Sequence, residues 1–254
     1  MKKLSLLKQH GTSIWYDNID RRLLDNGDLD RLVNEQGVSG LTSNPTIFEQ
    51  AILKGETYKG AISALGRKKM SAPDVFEELS VEDIGRAADL LKKTYEDSSG
   101  TDGFVSIEVS PMLARNSEAT VEEAKRLFRK LCRENVMIKI PATPEGISAG
   151  RELLEDGISV NFTLLFSVSS YERVARAYIG ALEVRRGKGL PIDRVSSVAS
   201  FFVSRVDTAI DPMLQRIIGE GSSKSVLANR LLGRCAVANS RLAYLSFLSI
   251  FQSE

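Results

Sequence analysis

Val136-Met137-Ile138-Lys139-Ile140-Pro141-Ala142-Thr143 sets one lysine in the middle of an apolar run that closes on proline. Val136, Ile138 and Ile140 favour an extended chain, and Pro141, which has no backbone donor, ends regular pairing. Lys139 therefore falls near the C-terminal end of a strand. Phe104-Val105-Ser106-Ile107-Glu108-Val109-Ser110-Pro111 repeats the plan upstream, with alternating residues, a terminal proline and Glu108 near its end. Between the two runs, Ser117 to Arg133 reads as a helix with Ala124, Leu127, Phe128 and Leu131 on one face.

The same alternation of strand and helix continues in both directions. Upstream lie a short helix at 4–9, the strand Ser13 to Asp17, and helical patterns near Arg21 and Leu29 punctuated by Gly27. Val38 to Thr46 then reads as a short strand running into a loop, with Pro45 near the N-terminus of the next helix; residues 60–98 are mostly helical, with a fresh turn at Pro73. Downstream, a short helix over Ser148 to Glu155 leads to a strand from Ile158 toward Val168. A helix over Ser169 to Glu183, a strand over Arg194 to Val203 and a helix over Asp207 to Ile218 follow. Lys224 to Phe251 reads as one long helix, weakest at Gly233.

Strands alternating with helices of ten or more residues predict βαβ units and a parallel sheet. The expected class is α/β, of the (β/α)8 TIM-barrel type, for which roughly 250 residues suffice. No composition break divides the chain, so residues 1–254 are read as one domain. Six strands are found, centred near Ile14, Gly40, Ile107, Ile138, Thr163 and Ala199, where a closed barrel needs eight. An open doubly wound sheet is the alternative, but no glycine-rich dinucleotide loop accompanies it.

Composition narrows the chemistry. A formal charge of +1 gives no global attraction to nucleic acid or to a membrane surface. Two distant cysteines, Cys132 and Cys235, indicate neither a disulfide framework nor a thiolate metal cluster. With His10 as the single histidine, imidazole catalysis and a histidine zinc site are not expected. The opening Met1 to Lys8 lacks the long apolar segment of a leader, and no run is long enough to span a bilayer; a cytoplasmic protein is expected.

Each polar strand-end residue has a plain reading beside a chemical one. Lys139 is a snorkelling strand-end lysine, or an amine whose burial opposes the charged form and so frees a nucleophile able to build a Schiff base. Glu108, flanked by Ile107 and Val109, is costly to bury without a cation, and Lys139 one strand onward is its natural partner, either in an inert ion pair or in catalysis. Asp17 either caps the helix starting near Asp20 or serves as an acid–base group; Asn44 either shapes the loop before Pro45 or meets a ligand. Asn161 and Thr163, two apart on one strand, share a face, where they hold a hydroxyl and a water or simply bond within a barrel layer. Ser200 and Arg205 sit at the end of the sixth strand, and the guanidinium suits a phosphate or a surface ion pair. Together they match what a Schiff-base aldol enzyme needs: a lysine nucleophile, acid–base groups, an ordered water and a cationic pocket, with no cofactor and no metal, because the protonated imine is itself the electron sink.

The runs Gly11 to Ile19, Gly40-Leu41-Thr42-Ser43-Asn44-Pro45-Thr46-Ile47-Phe48, Ser106 to Pro111, Val136 to Thr143 and Asn161-Phe162-Thr163-Leu164-Leu165-Phe166-Ser167, in that order and spacing, resemble the transaldolase family in its longer bacterial and plant-like branch. The resemblance implies a cytoplasmic (β/α)8 barrel of the pentose phosphate pathway, a transferase acting on sugar phosphates. It would move a dihydroxyacetone unit from sedoheptulose 7-phosphate to glyceraldehyde 3-phosphate, giving erythrose 4-phosphate and fructose 6-phosphate. By motif, Lys139 resembles the Schiff-base lysine, Asp17 the acid–base residue of carbon–carbon cleavage, and Glu108 with Thr163 the pair that orders the catalytic water. Asn44 and Asn161 are similar to ligands of the dihydroxyacetone part, Ser200 to a serine near it, and Arg205 to the phosphate-binding arginine. Phe202 matches a phenylalanine of transaldolases where fructose 6-phosphate aldolases carry tyrosine. That aldolase cleavage, or sugar-phosphate binding without catalysis, is the alternative. Chains of the family continue beyond the helix near Phe251 into strands seven and eight, so six of eight strands, open edges and a homo-oligomer that covers them are expected here.

Overall fold

A computed structural model describes residues 4–252. Met1, Lys2 and Lys3 of the opening stretch lie outside the described residues, as do the last two residues. The strands are β1 (Trp15–Tyr16), β2 (Gly40–Thr42), β3 (Val105–Glu108), β4 (Val136–Pro141), β5 (Val160–Leu165) and β6 (Ser197–Phe201), all parallel and hydrogen-bonded in chain order. Before β2 come the helices α1 (Ser5–Gln9), α2 (Arg21–Asp25) and α3 (Asp28–Arg31). The main connections are α4 (Pro45–Lys54), α5 (Lys59–Arg67), α6 (Ala72–Asp97), α7 (Ser117–Leu131), α8 (Pro144–Glu155) and α9 (Val168–Gly187). After β6 follow α10 (Ser204–Gly219), α11 (Ser225–Leu231) and α12 (Cys235–Phe251).

The sheet curls. β3 and β5 are separated by β4, yet Asn161 Nδ2 on β5 donates to Ser106 Oγ on β3 at 3.1 Å, a contact that only a concave inner face allows. Among the described residues β1 and β6 each pair on one side only, so the sheet is an open, curled half-barrel carrying six strands of the barrel plan. Alternation sorts the side chains between the two faces. Leu41, Val105, Ile107, Val136, Ile138, Ile140, Val160 and Phe162 face outward into one core with Ala88 and Leu91 of α6, Leu127 of α7, and Ala149 and Leu153 of α8. On the inner side Phe104 and Met137 form a floor with Tyr95, Trp15 and Val198. The polar residues lie further along the strands, above that floor.

Caps explain where several helices start. Thr143 Oγ1 accepts from Gly146 N at 2.9 Å and Pro144 holds the first helical position, so α8 begins four residues earlier than its apolar periodicity suggests. α8 also lies unusually close to the sheet. A Cβ on Gly150 would sit 2.3 Å from the Phe162 ring, so only glycine permits that approach.

Several boundaries differ from the sequence reading. β1 is two residues long instead of five, and β6 covers 197–201 instead of 194–203, because pairing to a single neighbour leaves their ends unbonded. β5 ends at Leu165 because Ser167 caps α9 through Ser170 N. The long final helix is in fact two, since Gly233 adopts φ +65° and its N–H turns to the Asp211 carboxylate at 3.1 Å.

Candidate active site

The parallel register sets Glu108, Lys139 and Asn161 side by side: Glu108 pairs with Lys139, and Lys139 with Asn161. All three project from the inner face. Lys139 is 7% exposed, and its Nζ donates to the Ser43 carbonyl at 3.0 Å and lies 3.4 Å from Glu108 Oε2. A lysine whose Nζ lies in the concave face is not snorkelling to solvent, so the plain reading of Lys139 fails on geometry. Burial pushes the Glu108 carboxyl above its ordinary range; the Lys139 charge and hydrogen bond pull it down, and Asp17 adds a push upward. Burial prevails, which keeps a proton on Glu108 at a higher pH than on a free glutamate.

Asp17 follows β1 and is exposed, where it accepts a hydrogen bond from Thr42 Oγ1. It does not cap α2. That task falls to Asp20, which accepts from Arg22 N at 2.6 Å. Asn44 does cap, its Oδ1 taking Ile47 N at 2.9 Å at the start of α4, so the loop-forming reading of this residue is realised. Asn44 also lines, with Ser43 and Glu108, a cavity of about 300 Å³ between α4, α6 and the end of β3.

Asn161 is fully buried and spans the inner face. Its amide donates to Ser106 Oγ, and its Oδ1 accepts from Ser200 Oγ on β6 at 2.8 Å. Thr163 shares that face two residues on and is 2% exposed, in register with Pro141. Phe202 and Arg205 form a separate group at the rim: the Arg205 guanidinium lies 4.8 Å from the Phe202 ring centroid, and that ring tilts against Phe166 at 5.1 Å. Contacts thus gather Lys139, Glu108, Asn161 and Ser200 with Thr163 beside them. Asp17 reaches the group through its field on Glu108, and Phe202 and Arg205 stand apart.

Three participants were not singled out from the sequence: Thr42, Ser43 and Ser106. Each sits inside a quoted run, and the two-residue spacing of Ser106 and Glu108 puts both on one face, a signal that was available. The Ser43 contact is carried by a backbone carbonyl, which no side-chain pattern reveals.

A family model described as Transaldolase/Fructose-6-phosphate aldolase matches residues 14–248. The chain belongs to that family. It is 42% identical over 246 residues to a protein of Trichodesmium erythraeum named Transaldolase, covering 96% of this chain and 65% of that one. It is 43% identical over 251 residues to the Transaldolase 2 of Nostoc punctiforme, covering 98% of this chain and 66% of that one. With the Transaldolase of Saccharopolyspora erythraea the figures are 42% over 251 residues, 99% and 66%. The chain therefore spans 65–66% of the length of these relatives. Among the described residues no helix is long and apolar enough to cross a membrane.

Proposed function

We propose that this chain is a Schiff-base transaldolase that moves a dihydroxyacetone unit from sedoheptulose 7-phosphate to glyceraldehyde 3-phosphate, leaving erythrose 4-phosphate and yielding fructose 6-phosphate. One observation carries the reading: a lysine amine buried in the concave face and touching a carboxyl that burial holds above its usual range. The Lys139 amine adds to the ketose carbonyl, and loss of water from the carbinolamine gives the imine. Glu108 supplies and recovers the proton for that step through a water ordered with Thr163. Asp17 takes the proton of the sugar hydroxyl as the carbon–carbon bond breaks, and the protonated imine receives the electron pair. Asn44, Asn161 and Ser200 hold the dihydroxyacetone hydroxyls. Arg205 takes the phosphate, and Phe202 favours transfer over release. The Ser106–Asn161–Ser200 chain of hydrogen bonds supports this by fixing the amide of Asn161 before a ligand arrives.

Borohydride reduction in the presence of fructose 6-phosphate, read by intact mass and peptide mapping, tests the amine. The expected result is one adduct at Lys139, absent from K139M; no label on Lys139 overturns the reading. The trapping rate is expected to fall as Glu108 loses its proton, at a pH above the ordinary glutamate range, and E108Q removes that dependence. Free dihydroxyacetone released equally with and without an acceptor aldehyde assigns the chain to aldol cleavage instead.

A further inference from the structure

The site holds a residue with no chemistry of its own that bonds β3 on one side and the Lys139 amine on the other. Ser43 is 1% exposed, in the turn that joins β2 to α4. Its hydroxyl donates to the Ser106 carbonyl on β3 at 2.8 Å, and its own carbonyl accepts from Lys139 Nζ at 3.0 Å. The neighbouring residues stiffen the same turn, Asn44 by capping α4 and Pro45 by its fixed φ. Resting on the transaldolase reading, we infer that Ser43 is a positioning residue whose hydroxyl clamps the turn to β3, so that its carbonyl aims the Lys139 amine.

The amine nitrogen is tetrahedral. A neutral amine carries the Cε bond, two N–H bonds and one lone pair, and it attacks a carbonyl only along the lone pair. In this site two acceptors flank Nζ, the Ser43 carbonyl and Glu108 Oε2. With one N–H given to each, the lone pair lies on the side away from both and is fixed there before substrate binds. Glu108 cannot do this alone, because it must release its contact when it exchanges a proton. The Ser43 carbonyl has no proton to exchange and holds its bond through the cycle. Pro45 narrows the backbone of Asn44 before it, but the Ser43 ψ that turns this carbonyl is left to the hydroxyl clamp.

The test separates aim from architecture. S43A removes the clamp, S43T keeps it, and both are compared with the natural chain in single-turnover borohydride trapping with fructose 6-phosphate. S43A is expected to label Lys139 about tenfold more slowly at an unchanged half-saturating sugar concentration, with S43T back to within about twofold. A merely structural role would lower the melting temperature and leave the trapping rate of the folded fraction unchanged. S43A trapping at the natural rate, or S43A and S43T falling alike, overturns the proposal. If S43A precipitates, S43C, with similar volume and a weaker donor, replaces it under the same outcomes.

Reductive methylation of Lys139 by formaldehyde and cyanoborohydride needs no sugar site. S43A is expected to slow it by about threefold or more, and equal rates overturn the positioning role. Should the natural chain fail to trap fructose 6-phosphate, the transaldolase reading falls, and the methylation rates still decide the role of Ser43.

Discussion

β4 and α12 are both strongly apolar, and they end in opposite surroundings. Every residue of β4 is buried, Lys139 included. α12 carries one charged residue in seventeen, Arg241, yet only Ala236 and Ala243 are buried, while Leu242, Tyr244 and Leu245 are 55–59% exposed. β4 has a strand on each side and a helix layer outside it. α12 leans on α9 and α10 at the open edge, where an apolar groove of about 590 Å³ runs between it, α9 and β6. Apolar sequence states a demand for cover; topology decides whether the cover is there.

Breaking the covered part should be costly. The largest effect is expected at Asp83 on α6, which is fully buried, with Oδ1 on Arg21 Nε at 2.8 Å and Oδ2 on the Tyr58 hydroxyl at 2.7 Å. D83A leaves the buried Arg21 guanidinium without its inner partner and should cost about 3–5 kcal/mol by urea titration. A loss under about 1 kcal/mol would show that Glu82, which also meets Arg21, compensates alone. Next comes G150V. Its side chain meets the Phe162 ring where a Cβ already has no room, and driving α8 off the sheet should cost about 3 kcal/mol.

Glycines such as Gly150 also mark where the sequence could and could not be read. The six strands and their order were legible because apolar runs ending in Pro111 and Pro141, and the helices between them, carry the 2.0 and 3.6 periods. The contact of Lys139 with Glu108 was legible too, since adjacent parallel strands bring strand-end residues together. Strand lengths at the edges were not, because β1 and β6 stop where partners stop and not where β-propensity does. Which aspartate caps α2 is not legible by residue type, since Asp17 and Asp20 are equivalent there; the chain places Asp20, with φ −155° and ψ 135°, at the cap. The break at Gly233 was legible as a weakness but not as a left-handed turn.

Two smaller effects sharpen the contrast. Glu77 joins α6 to α7 at the edge of the covered part. Hydrogen bonds from Arg126 first, then Lys130, hold its carboxyl down at about 2 against burial. Its folded value lies below the unfolded one, so its stabilisation is complete above the ordinary glutamate range and fades as pH falls through about 2. E77Q should therefore cost on the order of 1 kcal/mol at neutral pH, a cost that shrinks toward zero as pH falls through about 2. A loss independent of pH would assign the effect to packing.

The smallest change is expected on α12. L242Q with L245Q alters two large side chains that are already more than half in water, so the unfolding free energy should move by less than about 0.5 kcal/mol. Binding of a hydrophobic dye should fall, because the substitutions interrupt the exposed stripe. A cost above about 1 kcal/mol would show that α12 is covered in solution. A cost that grows with protein concentration means a second copy covers α12 in solution, since association stabilises by mass action. A cost independent of concentration means the helix packs more deeply against its own chain, and the exposed leucines belong to the core after all.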